Sequence, residues 1–100
     1  MNVVFNVLAI NELNDSIDFY ELEIKGLGIK FKDEVKKSIK RIIKNPEAWS
    51  AEKGEIRRYI LHKFPYKILY SIEKDHILIL AIAHMHRKPN YWIKRIDDNK

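Results

Sequence analysis

The sequence predicts an α+β fold in the order β-α-α-β-β-β, a helical hairpin packed on a small antiparallel sheet. Three observations predict it. Two apolar stripes spaced by three and four residues lie back to back between Leu13 and Ile42, the period of one helix face. A Gly26-Leu27-Gly28 break separates them. From Ile56 onward the period changes to two and ends in an unbroken apolar run, Ile77 to Ala83, the pattern of a strand buried on both faces.

Each element follows from its residues. Val3, Val4, Phe5 and Val7 make a β-rich start, read as a first strand. Asn11 precedes a helix whose stripe is Leu13, Ile17, Tyr20, Ile24 and Leu27. Glycine is the usual residue just past a helix end, so the Gly26–Gly28 segment turns the chain. The second stripe is Phe31, Val35, Ile39 and Ile42. Asn45-Pro46 ends it, because proline disfavours helix in the residue before it. Residues 47–55 read as a connection. Ile56 to His62 reads as a strand, interrupted by Phe64-Pro65. Tyr66, Ile68, Tyr70 and Ile72 then alternate with Lys67, Leu69, Ser71 and Glu73. That strand is half covered by the helices, with Lys67 on the opposite face. Lys74-Asp75 is a two-residue turn signal, and Ile77 to Ala83 completes an antiparallel meander.

The chain has 100 residues, 46% of them apolar and 33% charged, as expected for one globular domain over residues 1–100. Without cysteine it has neither a disulfide frame nor thiolate chemistry. The start, MNVVFNV, lacks a basic signal-peptide region, and no apolar run is long enough for a membrane span. A cytoplasmic protein without membrane attachment is expected. Net charge is +5, but unevenly placed. Residues 1–52 carry 8 Lys/Arg against 9 Asp/Glu, and residues 53–95 carry 10 against 3. A localised basic excess points to an anionic partner, nucleic acid first.

Two features of the basic half carry chemistry. His84-X-His86 at a strand end puts both imidazoles on one face. No Cys or acidic residue lies close by in sequence to complete a tetrahedral set, so no metal is expected. One histidine can be an acid/base or substrate contact, or a hydrogen-bonded group at the sheet's end. The second feature is a basic and aromatic cluster: Arg57, Arg58, Lys63, Lys67, Arg87, Lys88, Tyr91, Trp92, Lys94 and Arg95. Such cations neutralise phosphates, and rings stack on exposed bases. Trp92 is read as a core residue and Tyr91 as a polar one. No Gly-rich phosphate loop is present, nor a Ser/His/Asp order, so no cofactor is expected.

Taken in order, Gly26-Leu27-Gly28 with Phe31 and Val35, Asn45-Pro46, Phe64-Pro65-Tyr66, Tyr70, Ile79-Leu80-Ala81, and His84-X-X-Arg87-X-Pro89-X-Tyr91-Trp92 resemble the RelE/ParE toxin superfamily over about residues 3–95. The resemblance implies the toxin of a type II toxin–antitoxin system. It implies a cognate antitoxin that wraps the toxin in a heterodimer or heterotetramer, and contact with operator DNA only through that antitoxin. The one-sided apolar stripes of the two helices are expected to be surfaces the antitoxin covers.

The superfamily divides by target. RelE-like members cleave messenger RNA on the ribosome; ParE-like members poison DNA gyrase without nuclease chemistry. Cleavage requires deprotonating a ribose 2′-hydroxyl, neutralising the phosphorane and protonating the leaving oxygen. Carried over by position, the resemblance implies a catalytic set of Arg58, Lys67, Arg87 and Tyr91. Around it, Arg57, Lys63, His84, His86, Lys88, Lys94 and Arg95 would bind substrate. The complete cationic set favours a metal-independent, ribosome-dependent endoribonuclease. The His84–Trp92 stretch looks more like the plasmid-stabilisation and ParE-like branch, which makes a gyrase poison the alternative. A degenerate, non-toxic antitoxin binder is the third reading. A tyrosine at its ordinary pKa of ~10 is a poor base at neutral pH unless nearby cations lower it.

Overall fold

A computed structural model describes residues 1–98; positions 99 and 100 of the expected domain lie outside the described residues. The elements are β1 (Asn2–Phe5), α1 (Val7–Glu23), α2 (Leu27–Lys44), β2 (Ala51–Lys53), β3 (Ile56–Ile60), β4 (Tyr66–Ile72), β5 (His76–His84) and α3 (Lys94–Asp98). The α+β class and the expected element order hold, with two additions: β2 within the 47–55 connection, and the short α3. The sheet order is β1-β5-β4-β3-β2. β3, β4 and β5 form the expected antiparallel meander. β1 joins it parallel to β5, which makes the sheet mixed. The physical reason is the intervening helical hairpin, which returns the chain to the end from which it left.

Helix α1 starts earlier than Asn11. Asn6 is the cap, its side-chain oxygen accepting the Leu8 N–H at 2.8 Å, as N-cap asparagines do. The hairpin turn is held by Glu21, whose carboxylate accepts the N–H groups of Gly26 at 2.8 Å and Gly28 at 3.0 Å. Gly26 sits at φ 88°, a left-handed conformation that glycine adopts without strain. Gly28 allows the helices to touch: a Cβ there would lie 2.4 Å from the Ile17 carbonyl oxygen.

Two cores flank the sheet. Ala9, Phe31, Val35 and Ile42 pack on Tyr59, Leu61, Tyr66, Ile68, Tyr70, Ile77, Ile79 and Ile82, joined by Leu13, Ile17, Tyr20 and Ile39. On the far face, Ile56, Leu69, Leu78, Leu80, Ala81 and Ala83 pack on Trp92. Trp92 is 2% exposed, as its reading as a core residue requires. Burial of a large apolar side chain stabilises by about 1.5–3 kcal/mol, so this C-terminal anchor matters to the fold. A bulge serves both cores. Leu69 pairs with Ala81 while Tyr70 pairs with Ile79, leaving Leu80 without a partner on β4. The extra residue shifts the alternation, so Leu80 and Ala81 both face Trp92 and Ile82 returns to the helices.

The apolar stripes of the hairpin are therefore consumed by the sheet, contrary to the expectation that they wait for an antitoxin. The exposed apolar side chains of the hairpin are Val7, Leu8, Ile10, Phe19, Leu22 and Ile29, together with one stripe residue, Ile24, which falls at the cap beyond the end of α1 and stays outside the core. At 89% exposed, Leu22 lies far outside any core.

Two outcomes follow from this packing. Gly28→Ala should cost about 1–3 kcal/mol through overpacking against backbone; an unchanged urea midpoint would contradict the close approach. Tyr70 is fully buried and donates its hydroxyl proton to the Pro46 carbonyl at 2.6 Å. Burial pushes it up to about 12, with Arg57 opposing. The folded state thus favours the neutral phenol. Its contribution is complete below the unfolded value of about 10 and is lost as pH rises from there through about 12. Melting temperature should fall over that alkaline window, less steeply in Tyr70→Phe.

Candidate binding face and its two carboxylate clusters

The predicted catalytic residues fall into two pairs, Arg58 with Lys67 and Arg87 with Tyr91, each gathered by a carboxylate. They are divided between two carboxylates, Glu52 and Glu12, neither of which the sequence analysis singled out.

Glu52, on β2, holds the first pair. Arg58 and Lys67 project from the sheet face away from the hairpin, the same face as Leu69. Lys67 Nζ donates to Glu52 Oε2 at 2.6 Å, and Arg58 Nη1 lies 3.6 Å from Glu52 Oε1 while donating to the Ala51 carbonyl at 2.7 Å. Lys67 is only 22% exposed. Both cations are thus matched to an anion from the strand that the sequence analysis read as a connection. Arg57 points the other way and donates to the carbonyls of Glu47 at 3.1 Å and Trp49 at 2.7 Å. It ties β3 to the end of the hairpin.

Glu12, on α1, holds the second group. Its carboxylate receives Arg95 in a two-pronged contact, at 2.8 Å to Oε1 and 3.1 Å to Oε2. The Tyr91 hydroxyl donates to Oε2 at 2.5 Å, and the Ile82 backbone N–H donates to Oε1 at 3.1 Å. Arg95, 10% exposed in its side chain, also donates to the Leu80 carbonyl at 3.1 Å. These backbone groups lie beyond Ile79, the last β5 residue paired with β1. The side chains of Glu12 and Arg95 therefore finish the edge that β1 leaves open, satisfying groups that are costly to bury unpaired. Arg87 stacks on the Tyr91 ring at 3.9 Å and reaches Glu12 at 3.9 Å, with its side chain 52% exposed. Asn90, at φ 64°, takes a left-handed turn that asparagine tolerates and delivers Tyr91 and Trp92 to the sheet.

Tyr91 thus has the polar role its sequence context suggests, but not that of a ready base. Burial raises it, the hydrogen bond and charge of Glu12 raise it further, and Arg95 and Arg87 oppose this without prevailing. The cations of the cluster do not bring a phenolate within reach of neutral pH.

The remaining predicted contacts are scattered. His84 closes β5 against the Tyr66 ring at 5.0 Å, and His86 stacks beside it at 5.2 Å. The His86 N–H lies 3.1 Å from His84 Nδ1. Lys63 sits on the β3–β4 loop, where Glu34 accepts its backbone N–H at 3.1 Å and that of His62 at 2.6 Å. Lys88 and Lys94 are exposed. Among the described residues no group of three or more His, Cys, Asp or Glu side chains could hold a metal ion. None of their helices is long and apolar enough to cross a membrane. Sequence reasoning missed Glu12 and Glu52 because each meets its partners only in space; Glu12 and Arg95 are 83 residues apart.

Glu12→Gln tests this cluster. Removing one partner of a buried ion pair is strongly destabilising, about 3–5 kcal/mol, because the other charge is left uncompensated. The loss should shrink when Arg95→Met is added, measured as a coupling in a double-mutant cycle. Additive losses would contradict the pairing.

The comparisons with known proteins fit this geometry. A family model described as the ParE toxin of the type II toxin–antitoxin system parDE matches residues 3–89. A comparison with curated proteins finds no match. Among solved structures, the chain is similar to one described as the chromosomal ParDE TA system from P. aeruginosa. That likeness has a TM-score of 0.76 and 18% sequence identity, and it covers 86% of this chain and 97% of that one. At that identity the likeness speaks for a shared fold. The family match spans most of the chain, with α1, α2 and the five strands, and on it this protein belongs to the ParE toxin family of type II toxin–antitoxin systems.

Proposed function

We propose that this toxin arrests growth by binding DNA gyrase, without a reaction at its own residues, and that a cognate antitoxin neutralises it. The observation that carries this reading is the engagement of the expected nuclease set. Tyr91 and Arg95 are tied to Glu12, and Arg58 and Lys67 to Glu52. An endoribonuclease needs a base free to take the 2′-hydroxyl proton, and Tyr91 is shifted away from that task. The match to the ParE toxin family model supports the same reading. For the antitoxin, the support is the exposed apolar side chains at the two ends of α1, Val7, Leu8 and Ile10 at its start and Phe19 and Leu22 at its end. A partner helix or extended segment can bury such side chains.

One observation favours the endoribonuclease reading instead. His84 and His86 stand side by side at the sheet's end, and the exposed Arg87 follows His86 directly. Imidazoles can give and take protons near neutral pH, so this pair could act without Tyr91.

Purified toxin added to gyrase and to translating ribosomes in parallel decides between them. Binding predicts blocked supercoiling and trapped cleaved DNA with intact messenger RNA. Growth arrest should persist in His84→Ala/His86→Ala. Transcripts cut at codon boundaries, with supercoiling untouched and cutting lost in the histidine variant, would overturn the proposal.

A further inference from the structure

The strongest unneutralised charge lies on α2, in the half of the sequence that looks electrically balanced. That balance comes from two opposite helices. Helix α1 carries Glu12, Asp15, Asp18, Glu21 and Glu23 and no Lys or Arg. Helix α2 carries Lys30, Lys32, Lys36, Lys37, Lys40, Arg41 and Lys44 against Asp33 and Glu34. Glu34 is occupied by the backbone of His62 and Lys63. None of the seven α2 cations forms an ion pair with a carboxylate among the described residues. By contrast, the pairs in the basic half consume Arg58, Lys67 and Arg95.

We propose that the outer face of α2 binds the phosphate backbone of double-stranded DNA, independently of base sequence. Lys30, Lys37, Arg41 and Lys44 form one row and Lys32, Lys36 and Lys40 a second, together covering about half of the helix circumference. From Lys30 to Lys44 the rows run for about 21 Å at 1.5 Å per residue, enough to face several successive phosphates. The buried face of the same helix, Phe31, Val35, Ser38 and Ile42, fixes it rigidly on the sheet.

The composition of the face selects the partner. Between residues 30 and 44 every exposed side chain is a cation except Asp33. No exposed ring is present there to stack on single-stranded bases, which such binding uses. The exposed apolar side chain of α2, Ile29, stands in its first turn ahead of the cations, not at their centre, where a protein interface places its anchor. A membrane-surface helix turns its apolar face to lipid, whereas here that face is buried. Point cations without base-reading groups suit duplex phosphates. The proposal stands whether or not gyrase is the target, since it rests on α2 alone.

The test is binding of the purified full chain to a random-sequence DNA duplex, read as affinity against salt between about 50 and 200 mM. The expected slope of log K on log salt is about −0.9 for each phosphate neutralised. Lys32→Glu/Lys36→Glu/Lys40→Glu changes three exposed, unpaired positions and should leave the melting temperature unchanged. It should weaken binding about tenfold or more and flatten the slope by about two to three units. The charge-matched control Lys63→Glu/Lys88→Glu/Lys94→Glu should lose far less. An equal loss in both variants, binding driven by net charge alone, would overturn the proposal. So would absence of duplex binding at low salt, or tighter binding to single strands than to the duplex.

Discussion

The structure depends on one carboxylate placed where a strand stops short. β1 ends at Phe5, but β5 continues to His84, so the outer edge of β5 lacks a neighbouring strand over its second half. Glu12 reaches down from α1 to accept the Ile82 N–H, and Arg95 comes up from the C-terminal segment to donate to Leu80. Their mutual ion pair locks a helix, a strand and the chain's end together. The position of Trp92 in the far core, the turn at Asn90 and the stacked Arg87–Tyr91 pair all follow from it. A buried ion pair is retained here for placement, since an apolar substitute could not serve the two backbone groups.

Charge works differently in space than along the chain. The basic second half supplies the cations that bind Glu12 and Glu52, so several become internal ties between elements. The acidic α1 supplies one of those carboxylates and the basic α2 supplies none of the cations. The cations of α2 therefore stay turned to solvent without carboxylate partners. Net charge per segment measures what a segment carries; burial and pairing decide what it can offer to a partner.

Much of the fold is legible from spacing. The stripes Leu13–Tyr20 and Phe31–Ile42, the glycine turn and the unbroken Ile77–Ala83 run each state their environment directly, because periodicity records which faces are buried, whereas Ile24 and Leu27, read as the end of the first stripe, fall in the turn and at the start of α2. What is not legible is shorter or less local. Ala51-Glu52-Lys53 is too brief and too charged to read as a strand, yet it pairs with β3 at the sheet's edge. The sequence places the start of α1 after Asn11, and it is the hydrogen bond from the Leu8 N–H that identifies Asn6 as the cap. Glu12 looks like one of five acids on a solvated helix, and its partners arrive 70 to 83 residues later. The carboxylate partners of the expected catalytic set were hidden for the same reason: residue type and order place cations, but cannot say which carboxylates they will meet.

The C-terminal end of this small toxin is held by a side-chain clamp in place of a strand. The clamp is the central claim, and hydrogen exchange at the Ile82 amide tests it most directly. With Glu12 accepting that N–H, the amide should be protected at the level of the β4–β5 ladder, and Glu12→Ala should lower its protection far more than that of Ile79, whose carbonyl is held by Asn6. Fast exchange at Ile82 in the unaltered protein, or equal loss at both positions, would contradict it.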